Sequence, residues 1–386
     1  MSLDLRYPAL SDLKARARSR MPGFVWEYLV SATGTEAVVP RNRAGLDRVL
    51  LSPAILEGAV APDLGQTLLG REVSVPFGVG PVGMSGLMWP GAEAILARFC
   101  AAQRLPYCLS TVAAAAPEDV GGLAGDMGWF QLYPPKDPGI RRDILRRARD
   151  AGFHTLIFTA DVPGPSRRER QLRAQLTIPP RVTARMLAQV AQRPAWALGM
   201  ARAGMPRLKL MESYAQASGP TGSTGHVGYQ LRAAPDWAYL AETLAEWDGP
   251  VVLKGVLRAQ DAARARAEGV AAVWVSNHGG RQFEGSPASI DVLPAVRAAV
   301  GPEYPVIFDG GVESGLDILR ACALGADFVM LGRGWHYALG ALGAAGPDHL
   351  LHILREDLAA NMVQMAINRV AEAGRRLGLQ TPPPDV

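Results

Sequence analysis

The segment Ser276–Gln282, with the sequence SNHGGRQ, places a histidine and an arginine three residues apart. A histidine can act as a general base at neutral pH because its unperturbed pKa is about 6.5. The planar guanidinium of Arg281 matches the geometry of a carboxylate. His278 and Arg281 therefore suit the removal of a proton from a bound acid, although the same pair also fits a solvated or structural loop.

A second segment, Thr159–Arg170 (TADVPGPSRRER), supplies Asp161 and Arg168. A carboxylate beside a histidine can orient the imidazole and stabilise its protonated form. A second arginine would complete a clamp on a substrate carboxylate. We predict these roles for Asp161 and Arg168, and we expect Arg167 and Arg170 to be solvated.

Two glycine-rich segments, Asp309–Gly315 (DGGVESG) and Leu331–Gly334 (LGRG), lie near the end of the chain. Barrel enzymes often bind phosphate after their last two strands, through backbone N–H groups and a helix N-terminus. Either segment alone also fits an ordinary tight turn. Together, in this location, they favour a cofactor that carries phosphate.

The elements that must position these residues follow a regular pattern of short apolar runs and helical segments. The eight runs are Val75–Gly80, Pro106–Ser110, Trp129–Tyr133, Thr155–Ala160, Pro250–Lys254, Ala272–Ser276, Pro305–Gly310 and Phe328–Gly332. Such alternation is typical of a parallel sheet covered by helices. Eight units favour a closed α/β barrel, the TIM (β/α)₈ fold, over a doubly wound sheet. Polar residues after each run would then share one mouth of the barrel.

We predict a single domain over residues 1–386. It consists of an N-terminal helical segment (1–72), a barrel (73–345), and C-terminal helices with a tail (346–386). Residues 165–248 form an oversized connection between the fourth and fifth strands, which predicts a lid or binding insert. Within it, Gly219–Gly228 has the composition of a flexible loop.

Composition and charge exclude several classes of function. The net charge of +4 is too small to indicate nucleic-acid binding, and no basic–aromatic array accompanies it. The cysteines have no metal-ligand spacing, and the histidines form no metal set. No apolar run approaches the roughly 18 residues of a membrane span, and the N-terminal segment lacks the apolar core of a signal peptide. We therefore expect a cytoplasmic protein without a metal site.

Taken in order, the motifs resemble those of the FMN-dependent 2-hydroxy acid oxidases and dehydrogenases. The resemblance covers about residues 21–342 and rests on WFQLY, TADVP with RRE, LKG, SNHGGRQ, and DGG with LGR. Glycolate oxidase, lactate oxidase and mandelate dehydrogenase belong to this family, and LSTVA and WFQLY are most similar to mandelate dehydrogenase. The resemblance implies a barrel enzyme that oxidises a small L-2-hydroxy acid to the 2-oxo acid.

The resemblance also implies a role for each candidate residue. His278 would be the base and Asp161 its partner, while Arg168 and Arg281 would hold the substrate carboxylate. Tyr133 would form a hydrogen bond to the substrate.

Further residues would bind FMN. They are Pro81, Val82, Gly83, Ser110, Gln131, Thr159, Lys254, Ser276, Asp309, Gly311, Gly332 and Arg333. Lys254 would place its charge beside N1 and O2 of the flavin ring. Gly311, Gly332 and Arg333 would hold the phosphate.

Three positions depart from the family pattern. Trp26 stands where we expect the tyrosine that contacts the substrate carboxylate, and its indole can donate one hydrogen bond but cannot accept. Glu313 replaces a second phosphate-binding arginine, so its carboxylate should point away from the phosphate. Val112 replaces a bulky tryptophan of the substrate pocket, which leaves room for a larger substrate.

Residues 181–209 mix apolar and basic side chains, as an interfacial membrane helix does. Related segments attach some family members to membranes, where electrons pass to quinone. The stretch equally fits a lid helix or a subunit interface with a solvated basic face. A location in the cytoplasm, peripheral to the inner face of the membrane, would follow from the first interpretation.

The resemblance leaves the electron acceptor open among a quinone, a cytochrome and oxygen. Gly83 favours a dehydrogenase, because the oxidases usually carry alanine there. A homotetramer or larger assembly is expected. Two alternatives stay open: another FMN barrel enzyme that acts on a phosphorylated substrate, and a flavoprotein without catalytic activity.

Overall fold

The computed structural model describes residues 2–176, 182–215 and 232–378 of the chain. The predicted flexible loop Gly219–Gly228, residue 181 of the basic stretch and the tail at 380–386 lie outside these ranges. None of the helices within them is long and apolar enough to cross a membrane.

Eight parallel strands, numbered after the two N-terminal strands β1 (Gln66–Leu68) and β2 (Arg71–Val73), close into a barrel. They are β3 (Phe77–Val79), β4 (Tyr107–Ser110), β5 (Gly128–Leu132), β6 (Thr155–Thr159), β7 (Val251–Val256), β8 (Ala272–Val275), β9 (Val306–Phe308) and β10 (Phe328–Leu331). Around the barrel they follow in this order, and β10 pairs with β3. Each coincides with one of the eight predicted runs, except that β5 begins one residue earlier and β7 ends two residues later than predicted. The predicted barrel is confirmed. Nearly every strand residue is buried, because helices cover the outside and side chains fill the inside.

Helices follow the strands and cover the barrel. They are Ser85–Met88 and Ala92–Gln103 after β3, Pro117–Ala124 after β4, Pro138–Asp150 after β5, Ala259–Ala267 after β7, Ser289–Val300 after β8, Gly315–Ala323 after β9 and Arg333–Leu342 after β10. The chain then continues through Gly346–Gln364 and a 3₁₀ segment, Val370–Arg376.

The N-terminal segment forms the helices Leu3–Arg6, Leu10–Arg20, Gly23–Val30 and Val38–Asp47. It also contains an antiparallel hairpin of β1 (Gln66–Leu68) and β2 (Arg71–Val73), which the sequence analysis did not predict. Leu68 and Val73 of this hairpin pack against the side chains inside the barrel. Three-residue strands around a Leu-Gly turn give too short an alternation to be distinguished from a loop.

The connection between β6 and β7 contains the helices Glu169–Arg173, Ala184–Ala191, Pro194–Ala203, Lys209–Ala215 and Trp237–Glu246. It is anchored to the N-terminal segment, where Gln189 accepts a hydrogen bond from the Phe24 N–H at 3.0 Å. Trp196 donates to the carbonyl of Leu87 at 3.0 Å. The insert therefore lies over the helices beside the C-terminal mouth of the barrel.

Candidate active site

The alternation of side chains along each strand brings the predicted residues to one place. Apolar side chains inside the barrel include Trp129 on β5, Ile157 on β6, Val252 on β7 and Trp274 on β8. Side chains alternate with period 2 along a strand, so every second residue after each of these points inward. This spacing leads to residues at the C-terminal end of the strand or just after it. These residues are Gln131, Tyr133, Thr159, Asp161, Lys254, Ser276 and His278.

His278 and Asp161 form the central pair of the site. The Nδ1 atom of His278 lies 3.1 Å from each carboxylate oxygen of Asp161. Burial lowers the pKa of His278, and Asp161 only partly opposes this effect, so the imidazole is neutral at pH 7. Burial alone would raise the pKa of Asp161, but His278 and Lys254 hold it below its ordinary value. The geometry places the proton on Nδ1 and the lone pair on Nε2.

The Nε2 atom of His278 faces the hydroxyl of Tyr133, 3.4 Å away. The two rings are nearly parallel, with centroids 6.5 Å apart and an interplanar angle of 18°. His278 has a φ of 57°, in the left-handed region that non-glycine residues rarely occupy. Its N–H donates to the Ser276 hydroxyl at 3.0 Å, which helps to hold this backbone conformation. Strain of this kind is common where a side chain must be aimed at a reacting atom.

Lys254 lies at the centre of the barrel mouth. Its ammonium donates to Ser276 at 2.7 Å and forms an ion pair with Asp309 at 3.2 Å. Burial alone would lower the pKa of Lys254, but Asp309 and Asp161 raise it above the ordinary value. The lysine is therefore a permanent positive charge in the floor of the cavity.

Behind this floor, three buried polar side chains form a chain of hydrogen bonds. Ser110 donates to the carbonyl oxygen of Gln131 at 2.7 Å, and the Gln131 amide donates to Thr159 at 3.0 Å. This chain satisfies groups that would be costly to bury alone.

One continuous cavity opens at this mouth. Of the predicted residues, it is lined by Tyr133, Arg168, His278, Arg281, Lys254, Pro81, Val82, Gly83, Asp309, Gly311, Gly332 and Arg333. Asp161, Ser276, Ser110, Gln131 and Thr159 lie behind the lining and contact it or each other through the hydrogen bonds above.

Arg168 and Arg281 line the cavity where a substrate carboxylate would lie, and Arg333 is close enough to Arg281 to affect its pKa. Arg281 donates to the carbonyl oxygens of Tyr28 and Leu29, which end the helix Gly23–Val30. Burial, together with Arg333 and Arg168, lowers the pKa of Arg281 to about 9, so it stays charged at neutral pH. Because these guanidinium groups repel one another in a buried place, a bound anion would stabilise all of them.

The other end of the cavity carries the features predicted for phosphate binding. Gly332 precedes the helix Arg333–Leu342, whose first N–H groups have no side-chain cap. The Arg333 side chain donates to the carbonyl oxygens of Leu29 at 3.2 Å and Gly279 at 2.9 Å. Glu313 also borders the cavity, and its carboxylate pairs with Lys14 at 3.3 Å.

Trp26 does not line the cavity, and its predicted contact with the substrate is wrong. It is buried against Tyr337, with ring centroids 5.6 Å apart. Tyr28 lines the cavity instead, and its hydroxyl donates to the Gly83 carbonyl at 3.3 Å. Residues two apart on a helix point about 200° apart, so Trp26 and Tyr28 cannot serve the same face. The tyrosine that this helix presents to the cavity is therefore Tyr28, two positions after Trp26.

Arg232, which no sequence motif indicated, also lines the cavity, with its guanidinium over the ring of Tyr133. It lies in the connection between β6 and β7, where the sequence carried no strand-end signal. Lys14 was missed because it belongs to an amphipathic N-terminal helix, 299 residues from its partner Glu313.

The geometry agrees with the comparison to known protein families. The family model described as FMN-dependent dehydrogenase matches residues 17–379. The chain belongs to this family. The resemblance predicted from the motifs is thus confirmed, and with it an FMN-dependent enzyme.

Relatives of known name match over nearly the whole chain. The L-lactate dehydrogenase of Caulobacter vibrioides (strain NA1000 / CB15N) is 37% identical over 363 residues, which cover 94% of each chain. The L-lactate dehydrogenase of Ectopseudomonas mendocina is 36% identical over 367 residues, which cover 94% of this chain and 96% of the relative.

Two solved structures are similar throughout. One is of the monotopic membrane protein (S)-mandelate dehydrogenase, with a TM-score of 0.89, 31% identity, and coverage of 95% of this chain and 97% of that chain. The other is of mandelate oxidase, with a TM-score of 0.81, 34% identity, and coverage of 96% and 98%.

The cavity fits FMN in its chemistry. A buried lysine lies at its centre, and a helix N-terminus with Arg333 lies at one end. At Gly311, with a φ of 81°, an added Cβ would lie 3.1 Å from the Cβ of Asn42, so the bare backbone is needed there. Backbone N–H groups and one arginine are the donors that a phosphate accepts.

Proposed function

We propose that this enzyme oxidises an L-2-hydroxy acid, of the lactate and mandelate class, to the 2-oxo acid. The observation that carries the proposal is His278, held by Asp161 through Nδ1, with Nε2 beside the Tyr133 hydroxyl in the same cavity as Arg168 and Arg281. Flavin barrel enzymes that act on phosphorylated substrates do not need this combination of a base and a carboxylate clamp.

In this proposal, Arg168 and Arg281 bind the substrate carboxylate, and Tyr133 and Tyr28 border the space beside it. The substrate hydroxyl or its carbon then faces Nε2 of His278, which takes one proton. Asp161 stabilises the imidazolium that results, because its charge lies next to Nδ1. General base catalysis of this kind contributes about 10²–10⁴-fold to a rate.

FMN, when bound, accepts the two electrons that leave the substrate. Lys254 would stabilise negative charge on the flavin, and Ser110, Gln131 and Thr159 would contact the ring through their chain of hydrogen bonds. The backbone of Pro81, Val82 and Gly83 would lie along its other side.

Ser276 and Asp309 would meet the ribityl chain, and their bonds to Lys254 support this role. Gly311, Gly332 and Arg333 would bind the phosphate, with the helix N-terminus adding backbone N–H groups.

We propose a quinone as the electron acceptor and a peripheral position on the inner face of the membrane. Large apolar side chains of the insert are exposed next to its arginines: Val182 (73%), Leu187 (59%), Leu198 (53%) and Met205 (70%). Exposed apolar and basic side chains together suit an anionic lipid surface. The monotopic mandelate dehydrogenase supports this proposal, and a homotetramer or larger assembly in the cytoplasm accompanies it.

The anaerobic visible spectrum tests the function. The yellow holoenzyme should bleach when L-lactate, L-mandelate or a longer L-2-hydroxy acid is added, and His278→Ala should abolish the bleaching. Slow recolouring in air, but fast recolouring with a soluble quinone, is expected for a dehydrogenase. A holoenzyme that no hydroxy acid bleaches would contradict the substrate class.

Flotation with vesicles tests the membrane proposal. The wild-type protein should float with vesicles that contain anionic phosphatidylglycerol, and the double variant Leu187→Ser, Leu198→Ser should not. Substitution of an exposed apolar residue elsewhere, Ile55→Ser, is the matched control, because Ile55 is 82% exposed and far along the chain from the insert. Equal flotation of the wild type and the double variant would contradict the proposed contact.

A further inference from the structure

We propose that Arg232 determines substrate specificity by binding a second anionic group, so that the preferred substrates are 2-hydroxy dicarboxylic acids. The inference rests on the proposed function, because it names the substrate class of the same site. Its physical basis is the position of a third arginine on the substrate side of the cavity.

Arg232 is held in place by its backbone. It pairs with Pro135 in an isolated antiparallel bridge, and the N–H of Ala233 donates to the carbonyl of Pro134 at 2.8 Å. These contacts tie the end of the insert to the segment that follows β5. The same segment begins with Tyr133, which is the predicted hydrogen-bonding partner of the substrate.

The guanidinium of Arg232 lies over the ring of Tyr133, 3.8 Å from its centroid. Such a cation–π contact fixes the orientation of the arginine and keeps its charge at the cavity wall. A substrate that binds at the Tyr133 hydroxyl therefore lies within reach of the Arg232 charge. Arg232 also opposes the effect of burial on the pKa of Tyr133, which agrees with this close approach.

One carboxylate does not need three arginines. Arg168 and Arg281 already offer a pair of forks for the carboxylate next to the reacting carbon. Arg232 adds a further positive charge at the cavity wall, over the ring of Tyr133. A substrate side chain that ends in a carboxylate would pair with it there.

The wall of the cavity around Arg232 is formed by Val112 and Tyr133. Behind this wall, Ile140 and Met211 close a small separate hollow, so the surroundings of Arg232 are mainly apolar. Gly83 lies close to Val112, since an added Cβ there would be 2.7 Å from Val112 Cγ2. Apolar walls with one placed charge are typical of sites that recognise a specific polar end group.

The test compares two five-carbon acids on the holoenzyme: L-2-hydroxyglutarate, and L-2-hydroxyvalerate, which lacks the second carboxylate. We expect the second-order rate constant of anaerobic flavin reduction to be at least about 10-fold higher with the dicarboxylate, because hydrogen bonds to a charged group are strong. Arg232→Met should reduce this ratio to about one, and Arg232→Lys should restore part of it. Arg258→Met, which removes an exposed arginine outside the cavity lining, should leave the ratio unchanged.

Binding of the reaction products provides a second readout that does not depend on turnover. The flavin spectrum should report tighter binding of 2-oxoglutarate than of 2-oxovalerate, and Arg232→Met should remove the difference. If hydroxyvalerate reduces the flavin as efficiently as hydroxyglutarate, the inference is wrong and the proposed function stands. If neither these acids nor lactate and mandelate reduce the flavin, the proposed function itself fails.

Discussion

The part of the cavity that contains the predicted base His278, here called the base end, differs in construction from the part predicted to bind phosphate, here called the phosphate end. At the base end, His278, Asp161 and Tyr133 form a short network of direct contacts between side chains. At the phosphate end, the donors are a helix N-terminus and one arginine, and a glutamate stands beside them. The departure at Glu313 thus lies at the phosphate end, whereas His278, Asp161 and Tyr133 at the base end keep the residue types of the family motifs.

Elementary chemistry explains the difference. Proton transfer requires one base atom at hydrogen-bond distance from one reacting atom, so no neighbour can replace a missing His278. Phosphate binding is shared among several N–H groups and cations, so one charge can change while the others remain. Glu313 is such a changed charge. Its carboxylate pairs with Lys14 at 3.3 Å, which partly neutralises it.

The largest expected effect comes from removing the base. His278→Gln should lower the rate of flavin reduction by about 10²–10⁴-fold, because no other group takes the proton from the substrate. FMN affinity, measured by flavin fluorescence, should change little. His352→Gln is the matched control, since His352 is half-exposed, lies outside the residues that line the cavity, and contacts Asp4 and the ring of His349. A residual rate close to that of the wild type would exclude His278 as the base.

Asp161→Asn tests the base end through the rate of flavin reduction and the pH dependence of kcat/KM. The variant should reduce flavin about 100-fold more slowly, because the imidazolium loses its counter-charge. His278 acts only when neutral, so activity rises with pH through its pKa. Burial lowers that pKa and Asp161 raises it, so the acid limb of kcat/KM should lie below pH 6.5 in the wild type and lower still in the variant. An acid limb that moves upward would contradict this assignment.

Glu313→Arg tests the phosphate end. The new guanidinium should increase FMN affinity by about 10-fold, because a charge-assisted hydrogen bond replaces a repulsion. Fluorescence titration of the apoprotein with FMN measures the effect. Glu313→Gln should fall between the wild type and the arginine variant. Weaker FMN binding by Glu313→Arg would mean that the phosphate does not lie beside this position.

The smallest effects distinguish Tyr28 from Trp26. Tyr28→Phe should raise the KM for the hydroxy acid by about 5-fold, as expected for one hydrogen bond at the cavity wall. Trp26→Phe should leave KM within about 2-fold but lower the thermal midpoint, because it removes buried ring area. The opposite pattern of KM changes would restore the original assignment of Trp26.

Sequence patterns predicted the barrel because each strand is a short, continuous apolar run between turns. Strand ends and motifs also indicated His278, Asp161, Tyr133 and Lys254, because each lies at or just after the end of a predicted apolar run. The assignment failed at Trp26, where the surrounding helix offers aromatic residues on two faces. Only the packing of that helix decides which face meets the cavity.

Hydrophobic patterning and motifs were sufficient to predict the fold class and the family, and they also indicated the candidate catalytic residues. These depend on local alternation and on motifs whose residues are close together in the chain. Tertiary structure alone decided that Tyr28 lines the cavity, that Lys14 pairs with Glu313, and that Arg232 lies over Tyr133. Each of these contacts joins segments far apart in the chain, and the closure of the barrel with its N-terminal segment and insert brings them together.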